Sequence, residues 1–414
     1  MFFKKFDISL IVTVCSLQVL LFSGCATNNT KSSTSVGPSL SSSYSDEQGI
    51  NSVQSLPKLD VIIPVFDPGL PQDQDYEDEN IWPEIRRAEA NRFAYKLKEK
   101  LDETGEFGSV RVTPDRTATG DLYILGQIKE SNGEEVEVAI EVIDISNRKW
   151  LDESFDHEVS DAFHKNYRNK GKDSYDPLFE NIAIKIIEEL NDHESKELED
   201  LHYLSDIRFG ANFSDSKFMQ YIETEEDQFK LVSKPSDLDP MFRRVKAIRV
   251  RDQLFIDGLQ NNYASFSSKM NDSYLMWQSQ SLLEIKAKRS ANHKAIAQAV
   301  GGAALIGLGV LAAVAGAGSS SPATQTASTL GLLAGGVGGA ILIGESFKTS
   351  EEANVHRDTL NELGKSVDLE LAPKVIAFNK KSVELTGNAK EQFMQWRNFL
   401  QKIYSEEKTP DVQL

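Results

Sequence analysis

The sequence predicts an α+β protein, with a small β-α-β-β-β-α domain followed by a long-helix region that contains a glycine-rich two-helix hairpin. Three observations predict it. Apolar residues pass from helical spacing over 82–101 to a period of two over 136–143. The stretch 241–294 is nearly free of Pro and Gly, which removes the usual helix breakers. Two glycine-rich stretches without a charged residue then follow, at 295–318 and 327–344.

The chain begins with a basic pair, Lys4 and Lys5, and an apolar run from Ile8 to Phe22 closed by the small residues Ser23-Gly24 before Cys25. This is the pattern of a removable secretory leader. Leu21-Phe22-Ser23-Gly24-Cys25 resembles the lipobox of bacterial lipoproteins, with Phe22 where Leu is commoner. The resemblance implies loss of residues 1–24 and attachment of membrane lipid to Cys25, whose thiolate is a strong enough nucleophile to be alkylated. Ala26 follows, where Asp would favour inner-membrane retention by the enterobacterial sorting rule, so the resemblance implies an outer-membrane destination facing the periplasm. Cys15 and Cys25 are the chain's two cysteines, which leaves the mature protein no thiol for a disulfide or a metal site.

Residues 25–57 are rich in Ser, Thr and Asn and poor in large apolar side chains, a composition that cannot offset chain entropy. They read as a tether with a reach of about 30 Å. Order begins with the apolar strand Leu59 to Phe66, closed by Asp67-Pro68-Gly69. A helix over 82–101 follows, with Pro83 in its first turn, where a missing N–H costs nothing. Strands are expected at 110–112, 122–128 and 136–143, the last two joined by the hairpin signal Ser131-Asn132-Gly133. Asp144 to Arg148 makes another turn before Trp150-Leu151 and Phe155. A second helix over 175–191 places Leu178, Ile182, Ile186 and Leu190 on one face.

The region 58–192 resembles the amino-terminal TolB-like domain and the periplasmic domain of the curli secretion channel lipoprotein. The residues that carry this are Pro64-Val65-Phe66, Gly105-Glu106-Phe107 before Val110-Arg111-Val112, Asp121 to Gly126, and Asp144 to Asp152. The resemblance implies a noncatalytic part of an envelope assembly.

Over 193–294 the expectation is helical. Val245, Ile248, Leu259, Tyr263, Phe266, Met270, Tyr274, Trp277 and Ile285 form an apolar stripe suited to a helical hairpin core. In 295–344, Gly331, Gly335 and Gly339 recur every four residues, and Ala299, Ala303 and Gly307 share one helix face. Such stripes let backbones approach closely, and both stretches are near the about 20 residues that span a bilayer core. A membrane hairpin returns the chain to its starting side. A hairpin buried inside a soluble homo-oligomer or envelope complex is the alternative. Lys286, Lys288, Arg289 and Lys294 stand before the first stretch, where they can meet headgroups. Residues 345–414 read as charged and helical, broken at Pro373, with Phe393, Trp396, Leu400 and Tyr404 as a packing stripe.

With 414 residues, 40% hydrophobic, the chain can bury cores for two or three domains. Its net charge of −18 becomes −19 once Lys4, Lys5 and Asp7 leave with the leader. Nucleic acid is therefore not an expected partner, because such binding depends on cations neutralising phosphates. Asp73, Asp75, Glu77, Asp78, Glu79 and Glu84 imitate a calcium loop, but Asp78 stands at the sixth place, which needs Gly, and a solvated acidic loop is expected. His157, His164, His193, His202, His293 and His356 lack zinc spacing, and neither a nucleophile elbow nor a phosphate-binding loop is present. No catalytic residue, cofactor or metal is assigned. A structural envelope lipoprotein leads; a cell-wall hydrolase and a pore-forming protein are the alternatives.

Overall fold

In the computed structural model the described residues are 56–71, 81–315, 351–378 and 381–406, with the backbone alone described at 215, 288, 291–315 and 351–354. The chain divides into two units, Met1–Ser55, which lies outside the described residues, and Leu56–Leu414.

Five strands form one mixed sheet in the order β2-β1-β3-β4-β5. Strand β1 (Asp60–Pro64) lies between β2 (Ser109–Thr113) and β3 (Leu122–Ser131) and runs parallel to both. Helix α1 (Pro83–Thr104) makes the crossover that a parallel pair requires. Pro83 starts the helix, and Gly105, at φ 69°, ends it in the left-handed region and donates its N–H to the Asp102 carbonyl. Strands β3, β4 (Glu135–Asp144) and β5 (Lys149–Glu158) form an antiparallel meander. Asn147, at φ 70°, turns β4 into β5, while Asp144 Oδ1 accepts the N–H groups of Ser146 and Arg148.

The first domain therefore has one strand more than the sequence pattern suggested. Trp150, Leu151 and Phe155 belong to a full ten-residue strand whose outer positions, Asp152, Glu153, Asp156 and Glu158, are charged. That charge hides the alternation and also protects a free sheet edge against unwanted pairing. Helix α2 (Asp176–Asn191) packs beside α1 through Phe179, whose ring meets Phe93 edge-on at 5.1 Å.

Helix α3 (Ser195–Ala211), the single turn α4 (Asp215–Phe218) and the hairpin β6 (Ile222–Glu225) and β7 (Gln228–Leu231) lead to α5 (Pro240–Ala315). The hairpin corrects an expectation of helix. Ile222 to Leu231 alternates with a period of two, and Glu226 and Asp227 both hold positive φ, the conformation of a tight two-residue turn. A second correction follows: α5 runs unbroken from Pro240 to Ala315, 76 residues, and does not fold back as a hairpin within 240–294. Its apolar stripe packs on α1, β2, α3, α6 (Glu351–Leu363) and α7 (Ala389–Glu406). The third correction lies at 374–385, expected to be helical, where β8 (Lys374–Phe378) and β9 (Lys381–Leu385) pair. Helix α6 already ends at Leu363, so Pro373 is not the break expected of it and instead immediately precedes β8, where the β-branched Val375, Ile376 and Val383 favour strand.

The side chain of Gln260 on α5 closes the β2 edge of the sheet. It donates to the Val112 carbonyl at 2.8 Å and accepts the Val112 N–H at 2.9 Å, as a neighbouring strand would. Helix α7 packs by the stripe expected of it, with Phe255 stacked on Trp396 at 5.3 Å and Arg397 paired to the buried Asp252 at 2.8 Å. A fully buried aromatic of this kind is worth about 1.5–3 kcal/mol.

Candidate functional site

The residues with the most unusual environments lie where α5 meets the sheet domain. Arg92 projects from α1 into a closed space and is 1% exposed. It donates to Asp173 Oδ2 at 2.7 Å, to Asn271 Oδ1 at 3.0 Å and to the Ser267 carbonyl at 3.2 Å, and its guanidinium lies 4.7 Å from the Tyr274 ring centre. The other oxygen of Asp173 accepts Gln278 Nε2 at 2.7 Å. Burial pushes the Asp173 carboxyl up, but Arg92 and Lys96 outweigh it and hold the group below the usual range. Three of Arg92's partners, Ser267, Asn271 and Tyr274, stand on α5, so the pair clamps the long helix to α1.

One turn earlier on α1, Glu89 is fully buried. Its Oε1 accepts Tyr274 Oη at 2.6 Å and Ser131 Oγ at 2.5 Å. Among the described residues its Oε2 has no hydrogen-bond partner, with Arg86 Nε 3.9 Å away. Burial pushes this carboxyl up to about 7, against the opposing pull of Arg86, Ser131 and Tyr274. Beside it the β3–β4 turn abuts α5. Gly133, at φ 92°, donates its N–H to Tyr175 Oη at 2.7 Å, and a Cβ there would lie 2.5 Å from the Ser281 side chain. Only Gly accepts both the backbone angle and the contact.

A second buried centre surrounds Asp121. Its Oδ2 accepts the Asp60 N–H at 2.8 Å and meets His202 Nδ1 at 2.8 Å; its Oδ1 accepts Ser205 Oγ at 2.5 Å, with Arg249 of α5 at 3.8 Å. Serine, histidine and aspartate thus meet, but not as a nucleophilic triad. Catalysis needs the imidazole bonded to the hydroxyl so that it can take the proton. Here both groups bond the carboxylate, the single Ser205 hydroxyl hydrogen is shared between it and the Gly120 carbonyl at 2.9 Å, and the hydroxyl is fully buried. The Asp121 bond raises the His202 pKa, and the centre stabilises the start of β3 against α3 and α5.

Open depressions lie elsewhere among the described residues. One, about 520 Å³, lies over β3 and β4 beside Val65, Leu125 and Ala139. Its acids are engaged: Asp67 accepts from Gln127, and Glu141 and Asp152 pair with Lys149. Another, about 440 Å³, lies between α5 and the end of α6 at Phe266, Leu363 and Leu369. Among the described residues no group of three or more His, Cys, Asp or Glu side chains could hold a metal ion. Residues 73–79 of the acidic loop lie outside the described residues, and Glu84 pairs with Arg87 at 3.1 Å.

Of the residues singled out in the sequence, Cys25, Gly331, Gly335 and Gly339 lie outside the described residues. Ala299, Ala303 and Gly307 fall on the backbone of α5, their surroundings undescribed. Among the described residues no helix is long and apolar enough to cross a membrane. Sequence reasoning missed the buried charges of the junction, although a signal was present. Glu89 occupies the apolar stripe of α1, and Arg249 and Asp252 sit inside that of α5, positions where a charge must be paired or neutral. Compared with protein families, curated proteins and solved structures, the chain matches none.

Proposed function

We propose that this chain is a noncatalytic bacterial cell-envelope lipoprotein, anchored by lipid on Cys25 at the outer membrane and facing the periplasm. It serves as a structural or assembly component of a secretion or surface-assembly complex, with a sheet domain of the TolB-like kind as its soluble part. Residues 295–344 insert as a hairpin or oligomerise through Ala299, Ala303, Gly307, Gly331, Gly335 and Gly339. One observation carries the reading. The helix clamped to the sheet domain by Arg92, Glu89 and Arg249 continues without a break into the charge-free segment as far as Ala315. A rigid helix transmits position, so the sheet domain is held at a set place relative to that segment. A hydrolase would need a reachable nucleophile or carboxylate, whereas Ser205 and Asp121 are closed off.

Cells expressing the chain and fed labelled palmitate are expected to yield a labelled protein shortened by residues 1–24. Cys25→Ala is expected to abolish the label. Label that survives the substitution, or a full-length unlabelled chain, would sink the lipoprotein reading.

A further inference from the structure

The chain carries a net charge of −18, but residues 160–172 are basic. This segment, between β5 and α2, carries Lys165, Arg168, Lys170 and Lys172, all exposed, against a single acid, Asp161. Asp161 is engaged by Lys286 of α5. Arg168, Lys170 and Lys172 have no ion-pair partner among the described residues. At the tip stands Tyr167, 87% exposed and the most exposed large hydrophobic side chain described.

The segment is ordered by its own bonds. Asn166 Oδ1 accepts the Arg168 N–H at 3.1 Å, Asn169 Nδ2 donates to the Phe163 carbonyl at 3.2 Å, and Phe163 packs against the core. The Asp161–Lys286 pair places it beside the α5 turn that bears Lys286 and Arg289, the latter bonded to Glu134 at 2.7 Å. The charge-free stretch of α5 begins at Ala295, about 9 Å beyond Arg289 at the rise of a helix.

We infer that residues 160–172, beside Lys286 and Arg289, form a docking surface for the headgroups of an anionic bilayer, with Tyr167 seated at the interface. The argument is charge complementarity together with position. An amphipathic ring with a polar tip favours the boundary between water and lipid. Unpaired lysines and arginines within a Debye length of an anionic surface are attracted to it, against the repulsion set by the chain's net negative charge. The inference rests on the reading that residues 295–344 meet a membrane, because that meeting brings the segment to the surface.

The test uses the mature chain and two kinds of vesicle, phosphatidylcholine alone and phosphatidylcholine mixed with an equal part of phosphatidylglycerol. Wild type is compared with a variant carrying Lys165→Gln, Arg168→Gln, Lys170→Gln and Lys172→Gln, and with Tyr167→Ser. These side chains are exposed, so an unchanged circular dichroism spectrum and melting temperature are expected. Wild type should bind the mixed vesicles more tightly, with an advantage that salt removes. The fourfold variant should lose at least about tenfold of that binding while matching wild type on neutral vesicles. Tyr167→Ser should weaken binding to both. Equal wild-type affinity for the two vesicles overturns the inference and leaves the patch to some other anionic partner. So does a fourfold variant that binds mixed vesicles as wild type does. If wild type ignores neutral vesicles, the membrane hairpin is what fails, and the comparison on mixed vesicles still decides the loop.

Discussion

Arg92→Ala is expected to lower the unfolding free energy by about 3 to 5 kcal/mol, the usual cost of removing one partner of a buried ion pair. Asp173 would remain buried, with Gln278 at 2.7 Å, the Tyr175 N–H at 3.1 Å and Lys96 at 3.9 Å as nearby polar partners. The Ser267 carbonyl and Asn271 Oδ1 would each lose a donor. The stack on Tyr274 would go as well. Urea unfolding followed by tryptophan fluorescence reads the effect, since Trp277 is buried at this junction. A double variant, Arg92→Met with Asp173→Leu, is expected to recover much of the loss, because no charge is then left unpaired. A loss below about 1 kcal/mol for Arg92→Ala is the range of exposed pairs and would show that the clamp is open to water.

Glu89 is expected to make stability depend on pH in the direction opposite to most carboxylates. Burial raises its pKa from 4.5 to about 7 in the folded state. Between those values the folded protein holds a proton that the unfolded chain has released, so stability falls as pH rises through this window and levels off above it. The amplitude is on the order of 3 kcal/mol. Glu89→Gln keeps the acceptor for Tyr274 and Ser131 and cannot ionise. The difference in unfolding free energy between wild type and this variant should therefore decline from pH 4.5 to 7. Asp173 and Asp121, whose folded values are lowered, contribute the opposite slope at lower pH, present in both proteins and cancelling in the difference. A difference that stays flat over the window would mean that Glu89 is solvated or already neutralised by Arg86.

Much of the sheet domain was legible because its signals are local. Pro83 and Gly105 bracket α1, Asn132-Gly133 marks the β3–β4 turn, and Val136 to Val142 alternates without interruption. The edge strand β5 was only partly visible, since charge on both faces mimics a loop. The hairpins β6–β7 and β8–β9 are four and five residues a strand, too short for periodicity to stand out among long helices. The buried polar junction is a matter of tertiary distance. Arg92 and Asp173 are 81 positions apart, and Glu89 and Tyr274 are 185 apart, so no local window holds both partners. What the sequence does show is the anomaly itself, a charge placed in an apolar stripe.

The proposal that residues 295–344 insert in a membrane is tested most directly by fractionation after an alkaline carbonate wash. The comparison is between wild type and a Cys25→Ala variant exported with a substituted, cleavable signal. The account predicts that the variant stays in the membrane pellet, because the segment that continues from α5 holds it without lipid. Recovery of the variant in the soluble periplasm would contradict the account: lipid would then be the sole anchor, and the glycine-rich pair would be packed against protein.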